Sequence, residues 1–143
     1  MTDDLKRTYF ILLFPAAAGF LVVHILRHFH IVEWNIPQFP GMISSIFFVV
    51  SVCFAVALPI FFRAVFANKM RGQTHTPEAD WLIFERNLLL IAMTTPYVCL
   101  IAMILQISRF FLAGTIIMAL YAVYYYYPSK KRIAFDRRIF RVK

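Results

Sequence analysis

The chain has 143 residues, and 62% of them are hydrophobic and 17% aromatic, with a net charge of +8 from 15 Lys and Arg against 7 Asp and Glu. A soluble domain is only about 45–50% apolar, so this composition excludes an ordinary water-soluble globular domain. The positive charge does not indicate nucleic-acid binding, because the basic residues lie beside apolar runs, where membrane topology alone predicts them.

Four apolar segments are long enough to cross a bilayer, which takes about 20 residues of helix. In chain order they cover about residues 8–26, 42–62, 88–107 and 110–126. We interpret the first as an uncleaved span and not a signal peptide. The apolar run before Ala16 is short and contains Pro15, and apolar residues continue past the alanines to Leu26, where a signal peptide would already have ended. The sequence therefore predicts an all-α integral membrane protein, a four-transmembrane-helix bundle over residues 1–127 followed by a basic tail over residues 128–143.

The orientation of the predicted bundle follows from its basic residues. Cytoplasmic segments carry an excess of Lys and Arg. One side receives thirteen of the fifteen and the other only Arg27 and Arg109. Both termini and the middle loop, residues 67–80, are therefore expected in the cytoplasm, and we expect the bacterial inner (plasma) membrane as the location.

A histidine cluster lies at the outer end of the first span. His24 and His28 share a helix face, and His30 and Glu33 follow closely. Neutral imidazole binds zinc, copper, iron or nickel, so these four residues are candidate metal ligands. The interpretation we favour is that they are interfacial residues with their polar tips in water, and no cofactor is expected.

The third span carries polar residues within one arc at helical spacing: Asn87, Thr94, Thr95, Cys99 and Gln106. Two interpretations remain open. The arc forms hydrogen bonds between packed helices, or it is one wall of a polar cavity. Prolines 15, 59 and 96 are expected to kink three of the spans, since each removes a backbone hydrogen bond.

Charged residues at the cytoplasmic boundary predict two further features. Arg63 ends the second span and Glu85 begins the third at similar depth, so the two are expected to form an ion pair that clamps the helices. The basic residues of the tail are expected to bind anionic lipid headgroups; they are Lys130, Lys131, Arg132, Arg137 and Arg138. As a helix, the tail places its apolar residues on two separate faces, which does not favour a clean amphipathic helix.

The functional prediction is a small non-enzymatic membrane protein, because no nucleophile elbow, phosphate-binding glycine loop or catalytic carboxylate pair occurs in the sequence. It would act as an oligomeric transport or channel-like bundle, or as a subunit of a membrane complex that its basic tail helps to anchor. The alternative is a metal- or redox-dependent membrane enzyme subunit that uses the outer histidine cluster. Expected partners are anionic headgroups at the cytoplasmic face and either further copies of the chain or a larger membrane complex, without nucleic acid.

Overall fold

The structure, a computed structural model, describes residues 2–29, 41–72 and 75–142. Within these ranges the regular structure is helical. The helices are α1 (Thr2–His28), α2 (Gly41–Val52), a π-helical turn (Cys53–Ala57), α3 (Leu58–Lys69), α4 (Glu78–Ala92), α5 (Thr94–Ile104), α6 (Arg109–Tyr125) and α7 (Lys130–Ile139). The prediction of an all-α protein is confirmed for this part of the chain.

Three helical segments in the described ranges are long and apolar enough to cross a membrane: Asp3–His28, Gly41–Lys69 and Glu78–Ile104. A fourth is reached if α6 and α7 count as one span, although the two helices are bent by 79°. Helix α6 has 17 residues by itself. At a rise of about 1.5 Å per residue it is about 25 Å long, close to the thickness of the hydrocarbon core.

Two of these helices extend well past the predicted spans. The second continues to Lys69 instead of ending near residue 62, and the third begins at Glu78 instead of near residue 88. The physical reason is that apolar residues mark only the part of a helix that lies in lipid. Polar residues continue the same backbone hydrogen bonding beyond it.

The helices run between the same two ends of the bundle. At one end, the basic end, a buried cluster joins Leu5, Met70, Trp81, Tyr126 and Ile133. At the opposite end, the Arg27 guanidinium donates to the Met103 carbonyl at 2.8 Å, and the Ser108 N–H donates to the Ser44 hydroxyl at 3.2 Å. The start of α1, the α3–α4 connection and α7 therefore share one end.

Two of the three prolines coincide with irregular backbone. The π-helical turn comes just before Pro59, and its i→i+5 bonding is closed by the Leu58 N–H, which donates to the Cys53 carbonyl. Helices α4 and α5 are separated at Met93, three residues before Pro96. Pro15 lies within the continuous helix α1. The predicted disruption is thus found at Pro59 and Pro96, where the missing N–H is accommodated by a wider turn and by a break.

Helix α7 lies across the basic end of the bundle. Its N-cap is Ser129, whose hydroxyl accepts a hydrogen bond from the Arg132 N–H. Ile133 is buried against the bundle, and Phe140 packs on Phe66 and Phe84, with ring centroids 5.2 and 5.5 Å away. Phe135 is on the other side and 62% exposed. The two apolar faces expected for the tail are both present, and one of them is the face that packs on the bundle.

Candidate functional site: a buried charge cluster and an interfacial cavity

Four ionisable side chains form a charge cluster beneath α7, made of Arg63, Glu85, Arg132 and Asp136. Arg63 Nη2 lies 3.2 Å from Asp136 Oδ2, and Arg132 Nη2 lies 3.0 Å from Glu85 Oε2. Arg132 Nε is also 3.6 Å from Asp136 Oδ2, which connects the two pairs. Both carboxylate side chains are at most 4% exposed. The cluster therefore buries two carboxyl groups and places two guanidinium groups beside them.

The geometry of α7 explains how this cluster forms. Arg132 and Asp136 are four residues apart and thus project from the same helix face. Arg132 also donates through Nη1 to the Tyr126 carbonyl at 2.6 Å, and its guanidinium carbon lies 5.3 Å from the centroid of the Tyr126 ring. Through Arg132, the last turn of α6 and the body of α4 are both connected to α7.

These contacts correct the prediction of a direct ion pair between Arg63 and Glu85. Both residues belong to the cluster, but Arg63 contacts Asp136 and Glu85 contacts Arg132. The reason is that α7 folds back over the bundle and inserts its own cation and anion at the boundary. Asp136 contacts Arg63 of α3 and Arg132 contacts Glu85 of α4, and these two charge-assisted contacts replace a direct contact between α3 and α4.

The basic residues of the tail divide into two groups. Arg132 is in the charge cluster, and Arg137 lies 3.2 Å from Glu78 and 5.8 Å from the Trp81 ring centroid. The other three predicted headgroup-binding residues, Lys130, Lys131 and Arg138, are exposed, as is Arg141. The structure does not favour the headgroup contact predicted for Arg132, since its side chain is only 14% exposed and its Nη1 and Nη2 donate to Tyr126 and Glu85 inside the protein.

A cavity of about 440 Å³ lies beside the charge cluster, between α3, the end of α6 and α7. It combines guanidinium and carboxylate groups with aromatic rings. Its lining residues are Arg63, Tyr124, Tyr125, Tyr127, Ser129, Arg132, Phe135 and Asp136. We call it the interfacial cavity, because it lies where the apolar length of α6 ends.

The polar arc of the third span is spread over several environments. Thr95 and Cys99 are buried, Thr94 and Gln106 are partly buried, and Asn87 is exposed. The Thr94 hydroxyl donates to the Leu90 carbonyl of the preceding turn at 3.1 Å. Cys99 lines a groove of about 310 Å³ between α1, α5 and α6 that is wholly apolar. The members of the arc therefore lie in different environments, and the two interpretations of the arc stay predictions.

One member of the arc is unusual. The Thr95 hydroxyl is completely buried and has no hydrogen-bond partner within residues 2–29, 41–72 and 75–142. It follows the α4–α5 break directly, and Ala92, on the other side of that break, belongs to the same buried cluster as Ala55 of the π-helical turn. The two irregular points of the backbone thus lie in one part of the core.

Two residues of the predicted metal site can be placed. His24 and His28 are exposed, and their rings stack with centroids 6.3 Å apart and an interplanar angle of 11°. His30 and Glu33 lie outside the described residues. In the part of the chain that the structure describes, no three His, Cys, Asp or Glu side chains group to hold a metal. The histidine cluster stays a prediction.

Two residues of the charge cluster, Arg132 and Asp136, were not recognised from the sequence as members of a buried site. The signal was present, since Asp136 is the one acid among seven basic residues in the tail and stands four residues from Arg132. No protein-family model, curated protein or solved structure matches the chain.

Proposed function

We propose that the chain is a non-enzymatic, four-span subunit of a larger membrane assembly, and that it presents a fixed basic surface at the cytoplasmic face. This surface, the basic platform, consists of the exposed residues Lys130, Lys131, Arg138 and Arg141. The assembly would contain further copies of the chain or other membrane proteins. Anionic headgroups of the inner leaflet would lie beneath the platform.

The charge cluster is the observation that carries this proposal. Burying ion pairs costs desolvation that their mutual attraction only partly offsets, so such pairs are poor devices for stability alone. They do fix one arrangement, because any other leaves a buried charge unpaired. A tail that served only to attract headgroups would need no fixed position. The cluster holds α7 in one place, as a docking surface for a partner requires.

The proposed topology is supported by where the basic residues lie. The start of α1, the α3–α4 connection and α7 share the basic end, and this end carries Lys6, Arg7, Lys69 and Arg71 besides the platform. The positive-inside rule favours the cytoplasm for such an end. Helix α6 returns from the opposite end to the basic end, which favours four spans and both termini on one side.

Extraction of the chain into polymer nanodiscs without detergent tests the proposed function. We expect the wild-type chain in particles that contain more protein than one 16.7 kDa chain. In the double variant Arg138→Glu/Arg141→Glu, the reversed charges should repel the partner, so the chain should be recovered in smaller particles. The measurement is the protein mass per particle.

Arg109→Glu is the matched control, because it reverses an exposed charge at the opposite end of the bundle. It should leave the particles at wild-type size. A wild-type chain that is isolated as a single copy without other protein would overturn the proposal. So would an Arg109→Glu variant that shrinks the particles as much as the platform variant does.

A second candidate function is a path for a small solute, and the irregular turns favour it. Discontinuous helices that meet inside a bundle are where many transporters bind their substrates. Here the π-helical turn contacts α4, α5 and α6, and the unpartnered Thr95 hydroxyl lies beside the α4–α5 break. Against this candidate, Ala55, Ala92 and Thr95, which lie at this junction, are completely buried.

A further inference from the structure

The interfacial cavity has the features of a site for a phosphorylated headgroup. We propose that it binds the phosphate of one anionic phospholipid from the surrounding leaflet, with Arg63 as the principal contact. This site is distinct from the basic platform, since Arg63 belongs to α3 and the platform residues belong to α7 and the segment after it. The inference depends on the membrane location of the bundle and not on the proposed assembly.

Arg63 has donors to spare for such a ligand. A guanidinium carries five N–H donors in a planar fork, a geometry that suits phosphate oxygens. The contact with Asp136 uses Nη2, and Nε is buried, so the accessible part of the guanidinium that lines the cavity is what a ligand would meet. The side chain is 26% exposed, compared with 2% for Asp136. The cation of this pair is therefore accessible from the cavity, whereas the Asp136 carboxylate, which also lines the cavity wall, is almost wholly covered.

The rest of the cavity adds polar groups on the same side. Ser129 lies at the N-terminus of α7, a helix of ten residues, and the partial positive charge of a helix N-terminus attracts phosphate. Tyr124 and Tyr125 line the cavity and are 87% and 45% exposed, so their hydroxyls are free to donate to an anion. Together these groups surround the position where Arg63 would hold a phosphate.

A lipid fits this site better than a soluble anion because apolar surface adjoins it. The cavity wall includes the Phe135 ring, which is 62% exposed. Tyr125 stacks on Tyr121 one helical turn further into α6, at 5.2 Å between centroids, and Tyr121 is 37% exposed. Amphipathic rings prefer the membrane boundary, and basic pockets between spans on the cytoplasmic side bind anionic headgroups. The acyl chains would lie along the exposed side of α6.

The test uses the purified, delipidated full chain in a neutral detergent, titrated with dioctanoyl phosphatidylglycerol and followed by native mass spectrometry. We expect one tightly bound lipid per chain. Arg63→Gln should raise the dissociation constant of that lipid about tenfold or more, because it removes a charge-assisted contact. Asp136→Asn should leave the constant unchanged or lower it, since it frees Arg63 from its carboxylate partner.

Asp136→Asn distinguishes a loss of lipid binding from a loss of folded structure, because it breaks the same ion pair as Arg63→Gln but keeps the guanidinium. Equal weakening by Arg63→Gln and Asp136→Asn would mean that the pair only maintains the fold, and it would overturn the proposal. Arg138→Gln is the matched control for general attraction, and we expect an effect of about threefold or less. An effect as large as that of Arg63→Gln would also overturn the proposal, because binding would then be spread over the basic surface.

Two further ligands identify the source of the phosphate. Dioctanoyl phosphatidylcholine and inorganic phosphate should each bind at least about tenfold more weakly than the anionic lipid. Equal binding of either would overturn the assignment to an anionic phospholipid. If Arg63→Gln does not fold, the double variant Tyr124→Phe/Tyr125→Phe tests the same cavity. It should raise the dissociation constant about threefold or more, and an unchanged constant would contradict the site.

Discussion

In the charge cluster, each carboxylate is paired with a guanidinium from another helix: Asp136 of α7 with Arg63 of α3, and Glu85 of α4 with Arg132 of α7. Arg63 and Glu85 were recognisable because ionisable groups near lipid need a partner, and both are in the cluster. Their partners were not recognisable, because they depend on how far α7 folds back after Pro128. That angle is a property of the folded chain, and no local pattern in the sequence specifies it.

The first prediction at the residue scale concerns Glu85. Glu85→Gln removes the carboxylate opposite Arg132 and leaves an excess of buried positive charge in the cluster. Loss of one partner from a buried pair typically costs about 3–5 kcal/mol, and we expect a decrease of about 3 kcal/mol in the free energy of unfolding. The measurement is reversible unfolding in mixed detergent micelles.

Glu78→Gln makes the same chemical change seven residues earlier on the same helix. Glu78 pairs with Arg137 at 3.2 Å, but its side chain is 46% exposed. We therefore expect a loss of at most about 1 kcal/mol, as for other surface ion pairs. If both variants lose the same amount, Glu85 is solvated and the cluster does not hold α7.

At the scale of the elements, proline positions predicted where helices are disturbed but not how. At Pro59 the helix continues through a π-helical turn, and near Pro96 it separates into α4 and α5. Which form occurs depends on the packing around the turn, since the π-helical turn contacts α4, α5 and α6 of the rest of the bundle. For α7 the pattern was more informative. Its two apolar faces were evident in the sequence, and only the bundle could show that one of them is covered.

The prediction at this scale distinguishes a packed core from a solute path. In a chain with Cys53 and Cys99 replaced by alanine, Thr95→Cys should not react with a small water-soluble methanethiosulfonate in vesicles, because position 95 is completely buried. Ser108→Cys, at an exposed position before α6, should react rapidly. The measurement is the modified fraction by mass spectrometry. Reaction at Thr95→Cys at a similar rate would establish that water reaches the α4–α5 break, and would favour transport.

For the whole molecule, the composition predicted that the chain lies in a membrane, and the distribution of charge predicted which end of the bundle faces the cytoplasm. The apolar excess of the chain predicted a membrane protein, and the structure has helices that are long and apolar enough to cross one. The basic residues predicted that the start of α1, the middle connection and the tail would share one side, and the structure brings these segments together. Whether the chain has three spans or four depends on α6, which is short and is followed by a sharp bend.

Thiol labelling of intact cells tests the central claim, that four spans place both termini and the basic platform in the cytoplasm. Single cysteines are introduced in the cysteine-free chain as Asp3→Cys, Arg109→Cys and Lys130→Cys, all at exposed positions. A membrane-impermeant maleimide should label Arg109→Cys alone, and permeabilised cells should label all three. Labelling of Lys130→Cys from outside while Asp3→Cys stays protected would mean three spans and an external platform, and would contradict the account.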